Sequence, residues 1–287
     1  MSHPVFRHEA MATHFEVTIA GHGESYARQA AAEAFRALDR LEGELSLFVE
    51  SSDIARANRL EQGASAAIGD DALQCLLIAA GVAESTGRAF DPAYGSEPEP
   101  GLPGGGPAFT LDPAAHALTS RSARLRLDLG AVGKGYALDR MGEVLGDWGV
   151  SSACLNSGGS TALALEAPPG AAGWPVGLGE GARRRELILR RGALSGSGVA
   201  VKGSHLVDPR TGAPARRTLR AWASAPTGAL ADALSTAFFV MADAEVAAFC
   251  AQHGEAGAAL AQADGTISFH GALGPGAAPP AACTGRT

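Results

Sequence analysis

The sequence predicts an α+β fold: a single large domain of mixed, mainly antiparallel sheet with packed helices, or two intimately packed lobes with the site between them. Three observations predict it. A length of 287 residues suits one large domain. Hydrophobic residues make up 46% of the chain and charged residues 18%, the balance of a globular protein with a sizeable core. Helical and strand periodicities are mixed without a regular βαβ period, which disfavours a doubly wound sheet. The 38 glycines add tight turns and places where backbone approaches something closely.

Taken in order, Met11–Ala20 alternates as a strand, with Phe15, Val17 and Ile19 on one face and His14, Glu16 and Thr18 on the other. From Ser25 to Leu47, Ala30, Ala34, Leu38, Leu41 and Leu45 recur at spacings of three and four, a helical period. Ser46-Leu47-Phe48 ends that helix, and Ser52–Leu60 reads as a short second one. Asp70–Gly87 is a third, carrying Leu73, Leu76, Leu77, Ala80 and Val82. Ser96–Pro107 is rich in Pro and Gly and reads as loop. Arg124–Leu129 alternates as a strand, Gly135–Trp148 is helical, and Ala153-Cys154-Leu155 is a short buried strand. Further strands are expected at Pro175–Gly177, Glu186–Leu189 and His205–Val207. Leu230–Met241 is apolar nearly all round, hence a buried helix, and Ala244–Gln252 extends the helical content. One domain is expected over residues 1–275, with a poorly ordered Ala-, Pro- and Gly-rich tail at 276–287. No internal repeat is found.

A formal charge of −7 argues against nucleic acid as a partner, since affinity there rests on neutralising phosphates with Lys and Arg. Cys75, Cys154, Cys250 and Cys283 lie far apart with no C-x-x-C pair, so they read as buried thiols rather than a zinc ribbon or redox dithiol. The first twenty residues hold Arg7, Glu9 and three histidines, unlike a signal peptide, and no Cys near the start is placed to take a lipid. No apolar run reaches the ~18 residues of a membrane span. A cytoplasmic location without membrane contact is expected.

Asp232 and Thr236 are four apart on an expected helix, so both oxygens project from one face. Such a pair suits a hard cation such as Mg²⁺, and equally a helix-surface hydrogen bond. Its position in an apolar helix matters, because an isolated buried carboxylate is costly and must be paired or coordinated. His205 titrates near neutrality and suits proton abstraction from an alcohol; a packed, hydrogen-bonded strand histidine is the other reading. Asp208-Pro209-Arg210-Thr211-Gly212 is at least a turn. Gly130-Ala131-Val132-Gly133-Lys134-Gly135 is no Walker A motif, because its spacing is short and no Ser or Thr follows Lys134. A loop entering a helix can still offer N–H groups to a phosphate. G-x-S-x-G, H-E-x-x-H and G-x-G-x-x-G are all absent, despite the run Ser195-Gly196-Ser197-Gly198.

Together, Phe90-Asp91-Pro92, Asp128–Gly135, Asn156-Ser157-Gly158-Gly159, Ser204–Gly212 and Ala231–Thr236 resemble, in this order, the FAD:protein FMN transferase (thiamine-biosynthesis ApbE-like lipoprotein) family. The likeness runs over about residues 11 to 245. Met11-Ala12-Thr13 is similar to its opening Met-Gly-Thr, and the stretch from Ser46 through Phe48 and Ser52 to Asn58 to another of its motifs. Trp174–Leu178 is similar to its Trp-x-Val-Gly-Ile strand. The resemblance implies Mg²⁺ held by Asp232, Thr236 and the carbonyl of Gly133, with His205 as the catalytic base. It implies FAD contacts from Met11, Thr13, Phe48, Asp91, Lys134, Gly158, Gly159 and Asp208, with Phe48 stacking on a ring. The implied reaction transfers FMN from FAD to a threonine or serine hydroxyl of an acceptor flavoprotein and releases AMP. FAD pyrophosphatase activity and a catalytically weak FAD-binding protein are the alternatives. The chain departs from the pattern at Ala12, at Gly133 where the family has Ala, at Ser160 where it has Asp, and in a short segment between Ser197 and His205.

Overall fold

A computed structural model describes residues 3–97, 106–178, 185–198, 207–215, 218–262 and 265–274. The chain opens with an unanticipated strand, β1 (Val5–Ala10), paired antiparallel with β2 (Thr13–Ile19). Met11 and Ala12 form the two-residue connection, both in the left-handed region at φ 50° and 56°. That is the backbone a twisted hairpin demands. Gly, Asn and Asp, which normally mark it, are missing here, so the sequence reads straight through the turn. The alternation of β2 is as expected: Phe15, Val17 and Ile19 are fully buried.

The first three helices follow the apolar periods: α1 (Glu24–Leu45), α2 (Asp53–Ala57), whose N-terminus Ser52 caps through its hydroxyl, and α3 (Asp70–Ser85). Three short strands missed in the sequence, β3 (Ser65–Ala67), β4 (Phe109–Asp112) and β5 (Ala117–Ser120), form a small antiparallel sheet in the order β3-β5-β4. Each is too short for a period of two to stand out. Residues 124–129, expected as a strand, alternate in burial through Leu125, Leu127 and Leu129, yet belong to no ladder beyond a bridge from Arg124 to Glu97. A side chain supplies the pairing instead: Asn58 donates to the Leu127 carbonyl (2.9 Å) and accepts from the Leu127 N–H (2.6 Å).

Beyond α4 (Gly133–Asp147) come β6 (Ala153–Ser157), β7 (Thr161–Ala164), β8 (Trp174–Leu178), β9 (Arg185–Leu189), β10 (Gly192–Gly198) and β11 (Thr218–Ala225). The chain continues through α5 (Gly228–Val240), α6 (Asp243–Gln252), β12 (Gly257–Gln262) and β13 (Ile267–Gly271). Eight strands make one antiparallel sheet in the order β1-β2-β6-β7-β10-β11-β12-β13. The sequence Gly192–Gly198 shows no strand pattern because its two faces want different small residues. Gly196 lies under the Trp222 indole, where a Cβ would come within 2.8 Å of Cδ1. Ser195 and Ser197 face the helices.

One hydrophobic core joins α1, α3, α4 and α5 to one face of the large sheet, as a single α+β domain. On the opposite face, Leu194, Trp222 and Ala259 pack against Val176 and Leu178 of the β8–β9 hairpin. Cys75, Cys154 and Cys250 are buried free thiols, with burial raising Cys154 to about 12 and Cys250 to about 11. Cys283, the tail 276–287 and most of the expected strand His205–Val207 lie outside the described residues; Val207 itself bridges to Pro214.

Candidate active site

The site grows from the loop that enters α4. Asp128 is fixed by its N–H to the Pro92 carbonyl (2.8 Å), and its carboxylate accepts from the Gly130 N–H (2.7 Å). Leu129, buried, anchors the bend and accepts from Gly133 N (2.7 Å). The helix then begins, and Lys134 folds back so that Nζ donates to the Gly130 carbonyl (2.9 Å).

Across from this helix start lies α5, whose first turn touches that of α4. A Cβ on Gly135 would overlap the carbonyl oxygen of Gly228, and one on Gly228 would overlap the carbonyl oxygen of Gly135. Only glycine at both positions permits this approach. It brings Asp232 to the α4 N-terminus: Oδ2 accepts from Gly135 N (3.2 Å) and lies 3.8 Å from Lys134 Nζ. Ser195 donates to Oδ1 (3.2 Å). Asp232 is only 3% exposed, so its charge needs this company.

A row of hydroxyls continues from it. Thr161 and Ser195 are 2.9 Å apart, Ser197 is 2.9 Å from Ser235 and 3.2 Å from Thr236, and Ser235 donates to the Asp232 carbonyl (2.9 Å). Gly133 and Lys134 also line a cavity of about 210 Å³. Its remaining wall includes Met11, Ala12, Glu42, Ser46, Leu47, Phe48 and Asp128. Glu42 accepts from the Met11 N–H (2.9 Å) and so fixes the β1–β2 turn against α1. Phe48 stands on the rim with 87% of its surface exposed, a large apolar plane with room for a ring.

The structure thus brings Met11, Phe48, Gly133 and Lys134 to one cavity, with Asp232 next to Lys134 and Thr236 one helical turn further along α5. Thr13, Gly158 and Gly159 form an adjoining corner. Gly158 donates to the His14 carbonyl (2.8 Å), a Cβ on it would strike Thr13 Oγ1, and both glycines have positive φ (54° and 66°).

Asp91 and Asp208 are not in the cavity wall. Asp91 accepts from Ala93 N (2.8 Å) and Arg88 (3.2 Å) in the turn that holds Asp128. Asp208 is engaged by Arg210 through backbone and guanidinium, which holds its carboxyl below the usual range, and Arg210 reaches on to Glu245 (2.8 Å). His205 lies outside the described residues.

Sequence reasoning missed Glu42, Asp139 and the serines of β10. For the serines, the signal was the Ser-x-Ser alternation, which puts both hydroxyls on one face of a strand. Asp139 accepts from Gly228 N (2.6 Å) and Ala229 N (2.8 Å), and burial raises its carboxyl to about 6.

Antiparallel sheet, helices on one face, and an aromatic-rimmed cavity beside a buried carboxylate, a lysine and a row of hydroxyls define the class. This is an α+β protein with a cavity that sets an exposed aromatic plane beside a lysine and a buried carboxylate. The profile described as the ApbE family matches residues 11–98 and 105–260, and the chain belongs to that family. It is 29% identical over 255 residues to an FAD:protein FMN transferase of Treponema pallidum, covering 73% of this chain and 70% of that protein. A protein of the same name from Rhodobacter capsulatus is 31% identical over 176 residues; the match covers 57% of this chain and a third (33%) of that relative. The fold matches an ApbE protein of Thermotoga maritima with a TM-score of 0.80 at 23% identity, over 94% of this chain and 97% of that one. It matches the flavin transferase ApbE of Vibrio cholerae with a TM-score of 0.78 at 18% identity, over 93% and 97%.

Proposed function

We propose that the chain is an FAD:protein FMN transferase, moving FMN from FAD to a threonine or serine hydroxyl of an acceptor flavoprotein. The observation that carries the proposal is the approach of Asp232 to Lys134, which with Gly133 lines the cavity that has Phe48 on its rim. Family membership and the names of the curated relatives support it.

The donors fit a hard divalent cation. Asp232 is a buried carboxylate that accepts two hydrogen bonds and has lone pairs to spare, and Thr236 presents a hydroxyl one turn on. Gly133 lines the adjoining cavity, and its carbonyl would add a backbone oxygen. All three are oxygens, as Mg²⁺ prefers. Among the described residues no group of three or more His, Cys, Asp or Glu gathers for a metal, so phosphate oxygens of the substrate would complete the shell. When bound, Mg²⁺ would supply Lewis-acid stabilisation of charge on the FAD pyrophosphate.

The chain's own residues do the rest. Lys134 gives a positive charge at the pyrophosphate, Phe48 stacks on a ring, and Met11 with Glu42 shapes the cavity wall. His205 takes the proton of the acceptor hydroxyl, whose oxygen bonds to the FMN-side phosphorus as the bond to AMP breaks. The products are the FMN phosphoester of the acceptor and AMP.

The test is AMP release and covalent flavin on a threonine-bearing acceptor, with Mg²⁺ and then with chelator. Metal-dependent labelling is expected. AMP and free FMN without labelled acceptor would make the chain a pyrophosphatase, with water in the acceptor's place. FAD binding with no turnover under any metal condition would make it a binding protein.

A further inference from the structure

Where α4 and α5 touch, the chain repeats one spacing: Gly135-x-x-x-Asp139 on α4 and Gly228-x-x-x-Asp232 on α5. Both stretches occupy the first two turns of their helix. The two glycines meet backbone to backbone, and each aspartate, one turn on, reaches across to the other helix's N-terminus. Asp139 takes the N–H groups of Gly228 and Ala229, at 2.6 and 2.8 Å. Asp232 takes the N–H of Gly135 at 3.2 Å. The exchange is reciprocal, and it satisfies donors that a helix start leaves without intrahelical partners. Each carboxylate also sits at the positive end of the opposite helix dipole.

The two halves are unequal in a way that assigns roles. Asp139 commits one oxygen to each of two short, part-buried bonds, and so serves the contact itself. Asp232 makes longer bonds, at 3.2 Å from Gly135 and from Ser195, and keeps Lys134 Nζ at 3.8 Å, so it retains capacity for a ligand. The direction in which α5 leaves the contact decides where Asp232 and Thr236 lie relative to Gly133 and Lys134. That direction is fixed at its first turn by Asp139.

We propose that Asp139 is the positioning residue of the site: it clamps the first turn of α5 so that Asp232 and Thr236 are held at cation-binding geometry against the start of α4. This rests on the reading of Asp232 and Thr236 as ligands. Asp139 touches neither cation nor substrate.

The experiment measures Mn²⁺ binding to the full chain by electron paramagnetic resonance, below the melting temperature, for wild type, Asp232→Asn and Asp139→Asn. Metal-free FAD affinity and thermal unfolding are recorded for each. Asp232→Asn should abolish tight Mn²⁺ binding. Asp139→Asn should weaken it roughly tenfold to a hundredfold, as loss of a supporting partner does, while FAD affinity without metal stays within about twofold. Unchanged Mn²⁺ affinity in a folded Asp139→Asn with a lowered melting temperature would show a purely structural role and overturn the proposal. A wild type that binds no Mn²⁺ overturns the ligand reading first, and this proposal with it. If Asp139→Asn gives no soluble protein, Asp139→Ser, which can still accept one of the two N–H groups, replaces it under the same criteria.

Discussion

Ala12 is one of four non-glycine residues in the left-handed region among the described residues. It holds φ 56° beside Met11 at φ 50°, and a side chain in the left-handed region costs roughly 1–2 kcal/mol per residue. Glycine at this position would remove the penalty, so Ala12→Gly is expected to raise stability by about 1 kcal/mol, read as a higher urea midpoint at unchanged slope. A lowered midpoint would mean that the Ala12 methyl contributes packing beyond the strain. Asn58 shows the opposite economy, one side chain standing in for a strand partner. Asn58→Ala leaves the N–H and C=O of Leu127 without their partner, and a loss of about 2 kcal/mol is expected in the same measurement. At this scale the sequence was readable where chemistry and spacing coincided, as with Asp232 and Thr236 four apart on one helix. It was opaque where a residue acts through distance. Nothing local tells Asp139 that its partners are Gly228 and Ala229, some ninety positions on.

Helices were more legible than strands, and the reason is physical. The apolar patterns of α1, α3 and α4 run over several turns and α5 is buried nearly all round, whereas β3, β4, β5 and β7 have three or four residues each. A strand such as β10, made of Gly, Ala, Leu and Ser, is selected by what crosses it: the Trp222 indole on one side, the hydroxyl row on the other. The α4–α5 contact makes its own prediction. Gly135→Ala places a methyl where the Gly228 carbonyl oxygen and, at 2.8 Å, Ala229 N already stand, so the helices must part. A loss of about 3 kcal/mol is expected by chemical denaturation, and suppression of activity even in the fraction that stays folded. Full activity with native stability would show that the two helices slide apart freely.

Across the whole molecule, the response to pH separates two kinds of carboxylate. Asp208 and Asp243 lie below their usual range, chiefly because Arg210 and Ser268 donate to them, and Glu245 does because the Ala242 N–H does. Their stabilisation is present above the unfolded values near 4 and is lost as pH falls through the lower folded values. Asp139 runs the other way. Burial raises it to about 6, so its contribution is complete below the unfolded value of 3.8 and is lost as pH climbs through about 6. Denaturant titrations from pH 3 to pH 8 should show a steep acid limb, and between pH 4 and 7 a decline that Asp139→Asn flattens. An identical slope in the variant over that interval would remove Asp139 as its source. The class of the fold was legible from the missing βαβ rhythm, and the architecture was not. The strand order β1-β2-β6-β7-β10-β11-β12-β13 places β7 beside β10, and only the cap of β8 and β9 over Trp222 explains the jump.

The two glycines and two aspartates at the α4–α5 crossing also bear on how this chain can drift. A methyl gained at either glycine cannot be offset by trimming the other, because neither has anything left to lose. A shortened aspartate loses the backbone N–H groups that it reaches on the facing helix, and a backbone N–H cannot extend to meet it. No sequence of single tolerated steps leads away from the arrangement, so descendants that keep the reaction are expected to inherit the four positions as one block. Lineages that abandon it are expected to lose them together.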